Sequence, residues 1–350
     1  MVCIGNVFYG QAPAKKVNGM AIRSPHSGTV PMETFHEITG TKANYLAFSP
    51  EIMMDRQTLN FENYESYFDL EGHYIESIRL AQEAGFKILF KPHIILNAIP
   101  ITEIEYESAI ALYGNQPLSQ LKLDKTRAAE WRGDFEPFTK DDWAQWKAQY
   151  SELIIRSAKL AQELEIEQLC VGSELRRIAI LQPLYWQSLI RKVRSYFKGE
   201  ILYSANWDEY DKITFWKDLD YIGIDAYFPI STERHVRFKT VNKNWYPIRK
   251  KLKAFANKFE KKIVFTEYGY RNIEYAGQRP WEHDKGKDIL HDKSQENLYR
   301  AFYENFWQEE WVAGGYAWRW YVEGPKKGDT NFTIQGKPAF KTMQDWYGKF

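Results

Sequence analysis

The sequence predicts an α/β fold, a single (β/α)8 barrel whose extended βα loops form a cleft. Three observations carry this reading. Eight short apolar runs are spread along the chain, helical spacing of apolar residues fills the intervals, and the longest connections follow the C-terminal ends of four of the runs. Strands alternating with helices indicate a parallel sheet with helices outside, and eight such units can close it. The length of 350 residues suits a barrel of about 250 residues plus insertions.

The strand candidates are Gly19–Ile22, Tyr45–Phe48, Ile88–His93, Gln168–Glu174, Ile201–Asn206, Tyr221–Tyr227, Ile263–Glu267 and Gly315–Trp318. Runs of about 4–8 apolar and β-branched residues read as strands buried on both faces. Helical spacing covers Leu70–Ala84, Trp143–Leu164, Trp186–Phe197, Tyr246–Phe259 and Ser294–Trp307. Ala84-Gly85-Phe86 places a glycine where a helix C-cap needs one. Long connections run from Ile94 to about Lys140 and over Phe228–Asn244, Tyr268–Lys293 and Arg319–Lys337. All follow strand C-termini, the face on which parallel barrels hold their chemistry. Residues 1–350 read as one domain, with 1–16 as an N-terminal extension.

Composition excludes several classes. The 47 basic and 46 acidic residues nearly cancel, so no clustered positive charge offers a nucleic-acid or anionic-membrane surface. No run of about 18 apolar residues exists to span a membrane. The start of the chain lacks the basic and apolar regions of a signal peptide, which leaves location open, since a trimmed leader would look the same. Cys3 and Cys170 give no disulfide framework, and Cys170 falls inside a strand candidate as a buried thiol. A monomer is expected. Aromatic residues reach 16%, with 13 tryptophans. Trp143, Trp146, Trp186, Trp307 and Trp311 follow helical patterns and read as core. Trp131, Trp207, Trp281, Trp318 and Trp320 fall after strands, where an indole offers the C–H face of a sugar a flat apolar surface or simply holds a loop down.

The chemistry concentrates at strand ends. Glu174 closes Leu169-Cys170-Val171-Gly172-Ser173, and Glu267 closes Ile263-Val264-Phe265-Thr266. Two carboxylates on one rim can divide the work of acid and nucleophile at a glycosidic bond; singly, each could as well pair with an arginine or cap a helix. Around them, strand three ends Lys91-Pro92-His93, strand five ends at Asn206 and Trp207, and strand six ends Asp225-Ala226-Tyr227. His93, Asn206, Asp225 and Tyr227 can bond sugar hydroxyls or orient the glutamates, although His93 could be structural and Asp225 a turn cap. A tyrosine hydroxyl beside a carboxylate can hold it ionised. No Gly-rich phosphate loop, H-E-x-x-H motif or G-x-S-x-G elbow occurs, and the histidines lack metal-ligand spacing, so neither metal nor organic cofactor is expected.

Several motifs agree with one family. Val171-Gly172-Ser173-Glu174-Leu175, Tyr203-Ser204-Ala205-Asn206-Trp207, Leu219 through Tyr227, Thr266-Glu267-Tyr268-Gly269-Tyr270 and Gly314 through Trp320 resemble family 113 of the glycoside hydrolases, a retaining branch of the barrel clan A. The resemblance spans Gly19 to Trp320 and implies an endo-β-mannanase, β-1,4 by linkage, acting on mannan or manno-oligosaccharides. It implies Glu174 as acid/base, Glu267 as nucleophile, Tyr227 as the group steadying that nucleophile, and Trp318 as the floor under the cleaved sugar. The wider clan carries Asn where Ser173 stands. The partner of the sugar 2-hydroxyl is therefore open between Asn206 and His93. A same-clan enzyme for another sugar, such as a β-glucanase, or an inactive carbohydrate-binding barrel, shares these features.

Overall fold

The computed structural model describes residues 15–23, 28–56, 58–62, 64–96, 131–283, 286 and 288–350. Cys3, residues 1–14 of the expected extension and most of the connection after strand three lie outside them. The barrel expected from the alternation is present. Its strands are β1 (Val17–Arg23), β2 (Tyr45–Phe48), β5 (Lys87–Phe90), β7 (Gln168–Ser173), β8 (Glu200–Asn206), β9 (Ile222–Asp225), β10 (Ile263–Tyr268) and β11 (Val312–Tyr321). They close in the order β1-β11-β10-β9-β8-β7-β5-β2, parallel throughout. Three short strands, β3 (Glu51–Met54), β4 (Phe61–Glu62) and β6 (His93–Leu96), form a separate sheet.

One expected strand divides here. Ile88–His93 breaks at Lys91-Pro92: barrel strand three stops at Phe90, and His93 opens β6, which runs parallel to β3. Proline has no N–H to give a ladder, so the run cannot continue through it. The last strand goes further than its apolar core suggested, reaching Tyr321, where it still pairs with β1.

Helices cover the outside: α1 (Met32–Thr39), α2 (His73–Glu83), α3 (Lys140–Glu163), α4 (Arg176–Leu181), α5 (Pro183–Tyr196), α6 (Phe238–Phe259), α7 (Asp292–Phe306) and α8 (Pro338–Tyr347). Thr139 and Asp142 start α3 with a reciprocal capping box, which satisfies two otherwise orphaned N–H groups. Gly85 ends α2 at φ 89°, a conformation that glycine adopts without Cβ strain. The expected connection Phe228–Asn244 is shorter than the sequence suggested, because α6 begins at Phe238 and carries Pro247 inside it.

Two apolar layers follow from strand alternation. Val17, Ala21, Ala47, Leu89, Cys170, Leu202, Val264 and Tyr316 cluster within the barrel. Gly19 admits the Tyr316 ring there, since a Cβ would stand 2.3 Å from its Cδ1. The larger cluster, with Trp146, Trp186, Trp245, Phe302 and Trp307, packs strands against helices. Trp146, Trp186, Trp307 and Trp311 are buried and Trp143 packs against the same layer. Trp320, expected after a strand, lies within β11 and is core as well. No helix among the described residues is long and apolar enough to cross a membrane.

Candidate active site

The C-terminal rim of the barrel gathers the polar strand ends. Glu267 lies within β10 and is 6% exposed. Its two oxygens are held separately. Lys91 Nζ donates to Oε1 at 2.7 Å and the Tyr227 hydroxyl donates to Oε2 at 2.9 Å. His93 Nε2 stands 3.5 Å from Oε1 and 3.4 Å from the Ser173 hydroxyl, so the ring bridges the strand-seven and strand-four sides. Burial, reinforced by the positive charges of Arg132, Lys91 and Arg319, holds the His93 pKa well below its usual value, which leaves a neutral imidazole.

Lys91 joins the rim, although its sequence context alone does not mark it as a site residue. It is 1% exposed and stands between two acids, 2.7 Å from Glu267 and 3.2 Å from Asp225 Oδ1. Burial opposes its charge, but the attraction of Asp225 and Glu267 outweighs this, and its pKa is raised. Asp225 is 0% exposed, and Lys91 stands between it and the nucleophile candidate. Ser204 and Thr266 hydroxyls donate to its Oδ1 at 2.7 and 2.8 Å. Burial raises its pKa to about 7 against the pull of Lys91, with the Glu267 charge adding to the rise.

Glu174 follows β7 directly, at φ 54°. A left-handed conformation at a non-glycine residue costs roughly 1–2 kcal/mol and is held here by surrounding contacts. Its N–H donates to the Ser204 carbonyl at 2.7 Å. Arg132 Nη2 donates to Glu174 Oε2 at 2.7 Å, and Arg132 Nε donates to the Ser173 carbonyl at 3.2 Å. Burial raises the Glu174 pKa and the nearby Glu267 charge adds to it; Arg132, Lys91 and the Trp131 indole pull the other way without cancelling the rise. Arg132 was missed because a loop position carries no periodic signal. It belongs to a 3₁₀ turn, Arg132–Asp134, that starts right after Trp131.

The remaining candidates line the rim. Trp318 is partly buried, packs on the barrel-interior cluster, and lies nearly parallel to His93 with ring centroids 6.2 Å apart. The Arg319 guanidinium lies 4.8 Å from the Trp318 ring centre. Trp207 and Trp281 stack on each other at 5.5 Å, and Trp281 is 40% exposed. Asn206 uses Oδ1 to accept the Trp207 N–H at 2.9 Å, and its NH₂ has no partner among the described residues. The Trp131 ring lies 5.0 Å from the Arg176 guanidinium. Among the described residues no group of three or more His, Cys, Asp or Glu is placed to hold a metal.

The model described as Glycoside Hydrolase Family 113 matches residues 119–337, more than half of the chain. The protein is thus a glycoside hydrolase, a barrel enzyme whose substrate is a carbohydrate. More narrowly, it belongs to family 113. Among solved structures it is similar to the family 113 β-mannanase AaManA from Alicyclobacillus acidocaldarius, with TM-score 0.73 and 20% identity over 96% of this chain and 98% of that one. A family 113 β-1,4-mannanase aligns with TM-score 0.71 and 18% identity over 96% and 99%. A β-glucuronidase from Ruminococcus gnavus is more distant, at TM-score 0.57 and 11% identity over 95% of this chain and 50% of that one. No curated protein matches the chain.

Proposed function

We propose that this protein is a retaining β-mannanase that cleaves β-1,4-linked mannan or manno-oligosaccharides by double displacement. One observation carries the chemistry: two buried strand-end glutamates share one rim in different surroundings. Glu267 receives donors on both oxygens, which stabilises a carboxylate. Glu174 is pushed toward its protonated form. An ionised nucleophile facing a protonated acid is the division of labour a retaining glycosidase needs.

In the first step a Glu267 oxygen forms a bond to the anomeric carbon as the glycosidic C–O bond breaks, and the leaving oxygen takes the Glu174 proton. The glycosyl-enzyme removes the negative charge of Glu267. The repulsion that added to the Glu174 pKa disappears while Arg132 stays, so Glu174, having given up its proton, stays ionised and can take one from water as that water attacks the anomeric carbon and releases Glu267 in the second step. The mannose preference is supported by the similarity to β-mannanases, whose printed names state that activity. Of the aromatic surfaces, Trp318 is the floor candidate nearest this chemistry, and the Trp207–Trp281 pair can extend a binding face along the rim.

A product profile tests the reading. Linear β-1,4-mannan, mixed-linkage glucan and their oligosaccharides are digested side by side. Release of manno-oligosaccharides with little action on glucan is the expected result; efficient glucan cleavage with mannan untouched would replace mannan as the substrate.

A further inference from the structure

We propose that Lys91 is a positioning residue shared between two carboxylates: it pins Glu267 in the free enzyme and is balanced by Asp225 while Glu267 is esterified. The inference rests on the glycosidase reading above. Lys91 lies 2.7 Å from Glu267 Oε1 and 3.2 Å from Asp225 Oδ1, and all three side chains are shielded from water. A buried ammonium that loses its only counter-charge is strongly disfavoured. Glycosylation abolishes the charge on Glu267, so a Lys91 paired with that residue alone would oppose the reaction. Asp225 supplies the second partner. Its Oδ1 is already fixed by the Ser204 and Thr266 hydroxyls, so it need not move to do so.

The groups facing this pair come from several strands. Asp225 ends β9, Glu267 lies in β10, and the Cys170 thiol on β7 adds a weaker interaction with Lys91. Tyr227 and His93 complete the surroundings of Glu267, and Glu174 lies close enough for its charge to bear on Asp225. Above the Asp225 pKa of about 7 the aspartate is ionised before the reaction starts, and no proton has to leave the buried network as the glycosyl-enzyme forms.

The test compares pH profiles of kcat/KM for Lys91→Gln and Asp225→Asn with wild type, on dinitrophenyl β-mannobioside or on its glucose counterpart if glucan is preferred. Both variants should lose about 10²–10³-fold in kcat/KM, the scale of removing one fixed electrostatic partner from a reacting centre. Their acid limbs should differ. Without Lys91 the ionised form of Glu267 loses support, and the limb rises by about 1–3 pH units. Asp225 is neutral below its pKa of about 7, so Asp225→Asn removes no charge there and an acid limb below that pH stays in place. If Lys91→Gln does not fold, the charge-matched Lys91→Met/Asp225→Asn pair replaces it and should retain the raised limb. A folded Lys91 variant whose acid limb stays at the wild-type position or falls, or an Asp225→Asn enzyme with kcat/KM close to wild type, overturns the role of Lys91. Wild-type inactivity on every mannan, glucan and aryl glycoside overturns the glycosidase reading itself, and the inference with it.

Discussion

Glu267 and Glu174 stand on two sides of one rim, and the two sides are built differently. On the strand-seven side the carboxylate belongs to a strand, both of its oxygens are held, and the network behind it, Lys91, Asp225, Ser204 and Thr266, is supplied by residues in or directly after barrel strands. On the strand-four side Glu174 lies one residue beyond its strand in a left-handed turn, and its cation, Arg132, comes from a loop. The first setting fixes a charge in place. The second leaves a proton whose affinity depends on the charge across the cleft. A double displacement asks for this asymmetry, since the nucleophile must stay ionised until it attacks while the acid must give up its proton and later take one back.

The largest test of this asymmetry is to remove the nucleophile. Glu267→Gln should fold and lose activity by several orders of magnitude, more than any other single change, because covalent catalysis has no substitute there. Glu174→Gln should lose about 10²–10⁴-fold on natural glycosides. With a dinitrophenyl leaving group its first step should be nearly spared, so the glycosyl-enzyme accumulates and a pre-steady-state burst appears. Turnover close to wild type in either variant would remove the assigned roles. If both variants behaved alike toward leaving-group quality, the two sides would not differ as described.

A smaller effect sharpens the strand-four side. Arg132 acts against the rise of the Glu174 pKa. Arg132→Met should therefore raise that pKa further, and the high-pH limb of kcat/KM, where the acid loses its proton, should move to higher pH. A limb moving to lower pH would mean that Arg132 does not act on Glu174. The smallest effect concerns Trp318, which neighbours His93 between the two sides. Trp318→Ala should weaken oligosaccharide hydrolysis by the equivalent of about 0.5–1.5 kcal/mol of lost stacking. Its partial exposure means that thermal unfolding should change less than the about 3–5 kcal/mol typical of a truncated core tryptophan. A steep fall in melting temperature with activity per folded molecule intact would assign Trp318 to the core.

The asymmetry also explains what was legible in the sequence. The apolar runs before Glu174 and Glu267 mark strands, and a lone carboxylate at the end of such a run stands out. Lys91 follows Ile88-Leu89-Phe90 by the same logic. Its partners, however, lie on β9 and β10, and only closure of the barrel brings those strands opposite it. Asp225 was visible for the same reason as the glutamates, but the strand pattern does not tell how deeply a strand-end group is buried. Arg132 gave no signal, because loop residues follow no period. Among the helices, Pro247 hides the first turns of α6, since proline suits a helix start and so points to a beginning near Tyr246. The strands β3, β4 and β6 are too short to show an alternation.

The central claim is that Glu267 itself, rather than water, attacks the sugar while Glu174 serves as acid and then as base. The anomeric configuration of the first product tests it most directly. Proton NMR of a fresh manno-oligosaccharide digest should show the β-anomer forming first and the α-anomer growing in by mutarotation. Initial release of the α-anomer would mean direct attack by water on an inverting site, whose carboxylates stand about 6.5–9.5 Å apart, and would contradict the roles assigned to both glutamates.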